Sequence, residues 1–131
     1  MAKILLVDDE VDIIETVGFW LKSKGYDLIT AADGSEALNK ARKDRPDLIV
    51  LDLMLPKIDG YKVCRLLKFD EKYKHIPIIM FTARVREADR QLGMETGADA
   101  YITKPFEPAM LLRKIEELLD KNSKKDKDKA G

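Results

Sequence analysis

Asp8, Asp9, Asp52, Thr82 and Lys104 each follow a short apolar run. If those runs are parallel strands of one sheet, the five residues meet at its carboxyl rim, where open α/β sheets bind ligands. Three carboxylates held together raise one another's cost of ionisation, and a hard divalent cation with oxygen ligands relieves it. Mg²⁺ fits best, because it keeps several waters and binds through one or two carboxylates plus a phosphate. Lys104 brings a point charge and Thr82 a neutral donor, a pair suited to phosphoryl oxygens. The chemistry implied is phosphoryl transfer to a carboxylate: Asp52 attacks in line while the cation and Lys104 absorb charge.

The elements that must position these residues are legible as an alternation. Continuous apolar runs lie at 4–7, 28–31, 48–51, 76–81 and 100–102. Runs without in-and-out alternation fit strands covered on both faces of a parallel sheet. Between them, Ile13, Val17, Trp20, Leu21 and Lys24 recur at helical steps, with Gly25 placed to end the helix. Asp33 and Glu36 have capping-box spacing before Ala37, Leu38 and Ala41, and Pro46 follows. Further helices are predicted over 61–69, 87–96 and 108–119, where Leu111, Ile115 and Leu118 share a face. The order βαβαβαβαβα predicts a doubly wound (βα)5 sandwich, α/β in class, with helices on both faces of a five-stranded parallel sheet.

Composition limits the alternatives. At 131 residues and 45% hydrophobic, one compact domain with one core is expected. Setting aside the five lysines and two aspartates of 121–129 from the 24 bases and 24 acids leaves 19 against 22, so the body is mildly acidic and direct nucleic-acid binding is not expected. The body should span 1–120, and the lysine-rich 121–131 reads as a disordered tail or the start of a linker. The single cysteine, Cys64, cannot form an internal disulfide and reads as a packed side chain. No apolar run approaches the roughly 20 residues of a membrane helix, and a cytoplasmic location is expected.

Each residue also has a plainer reading. Asp9 with Asp12 has the spacing of a helix cap, and Asp59 before Gly60 reads as a cap rather than a ligand. Asp52 alone is an ordinary turn residue, Lys104 a solvated loop lysine, Thr82 a strand-end hydroxyl and Tyr101 a half-buried edge aromatic. Trp20 reads as a core or groove aromatic and His75 as a solvated loop residue. Their joint placement at separate strand ends is what favours a site.

Val7-Asp8-Asp9-Glu10, Leu51-Asp52-Leu53-Met54-Leu55-Pro56-Lys57-Ile58-Asp59-Gly60, Phe81-Thr82-Ala83, Gly97-Ala98-Asp99-Ala100-Tyr101 and Lys104-Pro105-Phe106 resemble the receiver domains of bacterial response regulators. The likeness covers about residues 3 to 120, with the signatures in order. It implies the strand order 2-1-3-4-5 and a phosphorylation-dependent signalling switch. By resemblance, Asp52 is the phosphoacceptor. Asp9, Asp52 and the Met54 backbone carbonyl hold Mg²⁺, and Asp8 helps through water. Lys104 pairs with the phosphoryl group, Thr82 moves to bond it, and Tyr101 changes rotamer with Thr82. The Lys104–Pro105 bond is expected to be cis. The implied partners are a sensor histidine kinase or phosphotransfer protein and a downstream output domain or protein, reached through the surface of the fourth helix, fifth strand and fifth helix.

A phosphatase of the haloacid-dehalogenase kind needs a second aspartate two positions after its nucleophile, and Met54 stands there. A flavodoxin-like carrier needs a Ser/Thr/Gly-rich phosphate loop after the first strand, where this chain has acids. The expectation is a signalling module that catalyses only its own phosphotransfer and dephosphorylation. Ala100 departs from the second acidic residue common in dimerising receivers, so a monomer or a weak, phosphorylation-promoted dimer is expected. Met54 and Arg84 line the mouth of the site in the family, which implies an obstructed hydrolytic water and a long-lived phosphoryl group.

Overall fold

The computed structural model describes residues 2–82, 97–104 and 107–130, with side chains for all of these but Thr82 and 122–130. Among them are five strands and four helices: β1 (Lys3–Val7), α1 (Val11–Ser23), β2 (Asp27–Ala31), α2 (Gly34–Asp44), β3 (Leu48–Asp52), α3 (Gly60–Lys68), β4 (Ile78–Thr82), β5 (Ala100–Thr103) and α4 (Pro108–Ala130). The predicted helix over 87–96, Arg84 and the Lys104–Pro105 bond lie outside the described residues.

All strand pairs are parallel and the sheet order is β2-β1-β3-β4-β5, the expected topology. A single core was expected, but the sheet is covered on both faces, so alternate side chains enter two separate cores. Leu5, Val7, Ile49, Leu51, Ile78 and Met80 face Ala37, Leu38 and Ala41 of α2 and Val63, Cys64 and Leu67 of α3. Ile4, Leu6, Leu48, Val50, Ile79 and Phe81 face Val17 and Leu21 of α1 and Leu111 and Ile115 of α4. Each fully buried aliphatic side chain contributes about 1.5–3 kcal/mol relative to exposure. Cys64 is buried in the first core, as a packed side chain should be, and Trp20 packs against the second.

Local signals explain the boundaries. Asp33 Oδ1 accepts the Glu36 N–H at 2.8 Å to open α2, and Asp59 Oδ1 accepts the Lys62 N–H at 2.9 Å to open α3. Gly25 takes φ 90° just beyond α1, a conformation that a Cβ would penalise. At the end of α2 a non-glycine residue, Arg45, is left-handed, at φ 43° and ψ 68°. Pro46 disfavours right-handed helix in the residue before it, and the Arg45 guanidinium lies 5.7 Å from the Tyr73 ring centroid. The backbone of the last helix continues through 121–130, where a disordered tail or the start of a linker was expected. Its apolar stripe ends near Leu119, so polar and mostly charged residues carry the helix onward. No helix among the described residues is long and apolar enough to cross a membrane.

Candidate functional site

Register brings the carboxyl ends of β1, β3, β4 and β5 to one rim. Val7 pairs with Leu51, Asp52 with Phe81, and Thr82 with Thr103. Asp8 and Asp52 are the two buried charged side chains among the described residues, at 0% and 3% exposure. Asp9 beside them is exposed and stands at the mouth. One carboxylate oxygen from each of Asp8, Asp9 and Asp52 lies within 4.8 Å of the others.

Lys104 reaches into this cluster from the end of β5. Its Nζ donates to Asp8 Oδ2 at 2.8 Å and stands 3.7 Å from Asp52 Oδ2. It also sits 4.6 Å from the Phe81 ring centroid, a favourable cation–π position. The lysine is thus bound more closely to Asp8 than to Asp52. Asp8 Oδ1 accepts the Glu10 N–H at 2.9 Å, so both of its oxygens are engaged. That bond turns the chain into α1, whose N-cap, Glu10, makes no side-chain cap; the alternative of Asp9 with Asp12 as a cap is not realised.

Asp52 is the less compensated group. The Met54 N–H points at its Oδ1 from 3.4 Å, a long and weak bond. Burial, first, and the negative charge of Asp8, second, push its pKa up to about 6, against the smaller opposing pulls of Lys104 and the Met54 N–H. Three carboxylates against one ammonium leave two negative charges in excess when all are ionised. A divalent cation coordinated by oxygen matches that charge and donor set.

The loop 53–59 returns sharply from the site. Gly60 N–H donates to Leu53 O at 2.9 Å, and a Cβ on Gly60 would overlap the Asp52 carbonyl oxygen. Only glycine permits that close return. Asp59 then caps α3 and stays out of the cluster, as the plainer reading had it. Met54 follows Asp52 with its side chain half exposed.

The remaining expected residues are placed less completely. Thr82 closes β4, and its side chain lies outside the described residues. Tyr101 is half-buried on β5 and packs against the core of the α2 and α3 face. His75 is exposed in the turn before β4. Lys68, and Asp99 of the Gly97–Tyr101 signature, were given no role from sequence, and their ion pair of 2.7 Å ties the end of α3 to the turn before β5. Lys68 Nζ also donates to Ile76 O at 2.7 Å, and Asp99 Oδ2 accepts the Ile78 N–H at 2.8 Å. No periodicity marks such a pair; only the crowding of Gly97 against the Lys68 stem, at φ 92°, betrays a fixed turn.

Comparison with known proteins gives the same frame. The family model described as "Response regulator receiver domain" matches residues 4–116. The alkaline phosphatase synthesis transcriptional regulatory protein PhoP of Bacillus subtilis (strain 168) is 50% identical over 117 residues, covering 89% of this chain and 48% of PhoP. The chain spans about half the length of the curated relatives it matches. The CheY-like receiver domain protein of Methanospirillum hungatei JF-1 superposes with a TM-score of 0.90 at 31% identity, over 95% of this chain and 98% of that one. The receiver domain of the sensor histidine kinase PA1611 of Pseudomonas aeruginosa PAO1, solved with a magnesium ion coordinated in its active site cleft, gives 0.85 at 34% identity, over 91% and 98%. With a matching family model, a relative at half identity and the same sheet order, the chain belongs to the response regulator receiver domains of two-component signalling.

Proposed function

We propose that Asp52 accepts a phosphoryl group from a phosphohistidine of a sensor histidine kinase or phosphotransfer protein, in a Mg²⁺-dependent reaction. The observation that carries this reading is a nearly buried, under-compensated Asp52 beside Asp8, Asp9 and Lys104. An Asp52 oxygen attacks phosphorus, a P–O bond forms, the P–N bond breaks, and the imidazole leaves with the bonding pair. By the family resemblance, Asp9, Asp52 and the Met54 carbonyl would hold the cation directly, and Asp8 would act through water. When bound, Mg²⁺ supplies positive charge toward the oxygens of the group in flight. Asp8, fixed by Glu10 and Lys104, keeps the lysine at the rim, 3.7 Å from the Asp52 carboxylate that takes the phosphoryl group. The magnesium coordinated by the PA1611 receiver supports the choice of metal.

Phosphorylation then acts as a switch. Lys104 transfers from carboxylate to phosphoryl oxygen, Thr82 bonds the same group, and Tyr101 repacks on β5. The readout is the surface of β5, α4 and the segment preceding Gly97, which controls a downstream partner or output domain. Matched relatives described as transcriptional regulators favour an output that acts on transcription through residues outside 1–120. The receiver body spans 1–120, residues 121–131 form a lysine-rich tail or the start of a linker, and the body is a monomer or a weak, phosphorylation-promoted dimer. Met54 and Arg84 obstruct the hydrolytic water and prolong the phosphoryl lifetime.

The deciding experiment adds acetyl phosphate and Mg²⁺ and measures intact mass for wild type and Asp52→Asn. Wild type should gain one phosphoryl group and the variant none. Equal gain by both, or by neither, refutes the assignment.

A further inference from the structure

We infer that the start of α2 is a positioning element of the phosphorylation site: Gly34 and Asp33 fix the loop 53–59 so that the Met54 backbone is presented to the cation. This rests on the reading of Asp52 as phosphoacceptor and of Met54 as its metal-binding neighbour.

The loop cannot hold its own shape. Lys57 has φ 69°, and the Ile58 N–H donates to Pro56 O at 2.9 Å. A bond spanning two residues across a positive φ is a γ-turn of the rare, strained kind, which persists only when its surroundings impose it. Gly60 secures the far end through Leu53 O. The middle is met by two residues of α2's start. Gly34 N–H donates to Pro56 O at 3.3 Å, Asp33 Oδ2 lies 3.5 Å from Lys57 Nζ, and a Cβ on Gly34 would overlap the carbonyl group of Ile58. Pro56, Lys57 and Ile58, the three residues of the γ-turn, are therefore each engaged by residue 33 or 34.

The two anchors differ in weight. Lys57 is 68% exposed, and exposed ion pairs contribute little. The steric seat at Gly34 dominates. The φ of Gly34 is not positive, unlike those of Gly25 and Gly97, so its own backbone does not demand glycine. A helix start accepts most residue types, whereas the approach of Ile58 accepts none with a Cβ. A methyl group there would drive the γ-turn outward, and Met54 lies on the same short loop.

The test titrates Mg²⁺ calorimetrically into wild type, Gly34→Ala, Lys57→Glu and the remote core control Ile115→Val, each well below its unfolding temperature. Gly34→Ala should bind Mg²⁺ about tenfold more weakly, the usual cost of losing support behind a metal ligand. Ile115→Val should lose stability with an unchanged Kd. Lys57→Glu, an exposed change that repels Asp33 and keeps the α2 cap, should weaken binding by about threefold. The added negative charge alone would tighten it. Gly34→Ala within twofold of wild type overturns the inference. If that variant does not fold, Lys57→Glu decides, and unchanged or tighter binding overturns it. Wild type that binds no Mg²⁺ and takes no phosphoryl group from acetyl phosphate refutes the functional reading and this inference together. Wild type that does both, with Gly34→Ala unaltered, refutes the positioning role alone.

Discussion

Replacing Asp52 by asparagine should stabilise the metal-free protein at neutral pH. The folded-state pKa is raised to about 6 from 3.8, chiefly by burial and then by Asp8. Between those values the folded state keeps a proton that the unfolded chain has released, so stability falls as pH rises from about 4 and the whole penalty is present above about 7. A rise of about two pKa units corresponds to about 3 kcal/mol. The exposed Asp9 marks a solvent-filled mouth, and screening there reduces the working figure to about 1–2 kcal/mol. Asparagine keeps the shape and removes the charge, and the lost attraction of Lys104 at 3.7 Å is already contained in the shifted pKa. Urea melts with EDTA, run from pH 4.5 to 8, should show Asp52→Asn more stable by that amount at pH 7.5, equivalent to roughly 3–8 °C in Tm. The gap should close toward pH 4.5. A variant less stable than wild type at pH 7.5, or a gap that does not change with pH, would refute the reasoning.

The same site yields further expectations. Mg²⁺ at about 100 times its Kd should raise wild-type stability by about 2.7 kcal/mol and leave Asp52→Asn nearly unmoved, as thermal melts at pH 7.5 would report. Lys104→Met strands a fully buried Asp8 and should cost about 3 kcal/mol; adding Asp8→Asn should recover most of it, and urea unfolding that finds no recovery would discredit the pairing. Lys68→Met breaks the Asp99 pair and the bond to Ile76 O together, for a loss of about 2 kcal/mol. Amide exchange should speed up first at Ile78, whose N–H depends on Asp99.

Most of the frame was legible because it is local or periodic. Apolar runs marked each strand to within two residues, and the acid at Asp33 or Asp59 marked where a helix opens. The site was legible as a set because strand ends are sequence positions, so Asp8, Asp9, Asp52 and Lys104 could be grouped before any coordinates. What escaped depends on which atoms meet across the fold. That Lys104 favours Asp8 over Asp52 follows from the turn Asp8 makes into α1, and no spacing encodes it. Arg45 took a left-handed seat usually given to glycine, and nothing in the spacing of the sequence announces it. The helical backbone of 121–130 was missed because its sequence carries no apolar stripe to continue the period read up to Leu119.

The sheet that carries the site is also a partition. Its central strands send alternate side chains to two cores that share no residue. A change at Leu67 on one side and a change at Ile115 on the other should therefore add to within about 0.5 kcal/mol. Each half can then drift or be redesigned without retuning its opposite. A lineage of such domains can remodel the helices that meet one partner while the wall that aims Asp52 stays as it was.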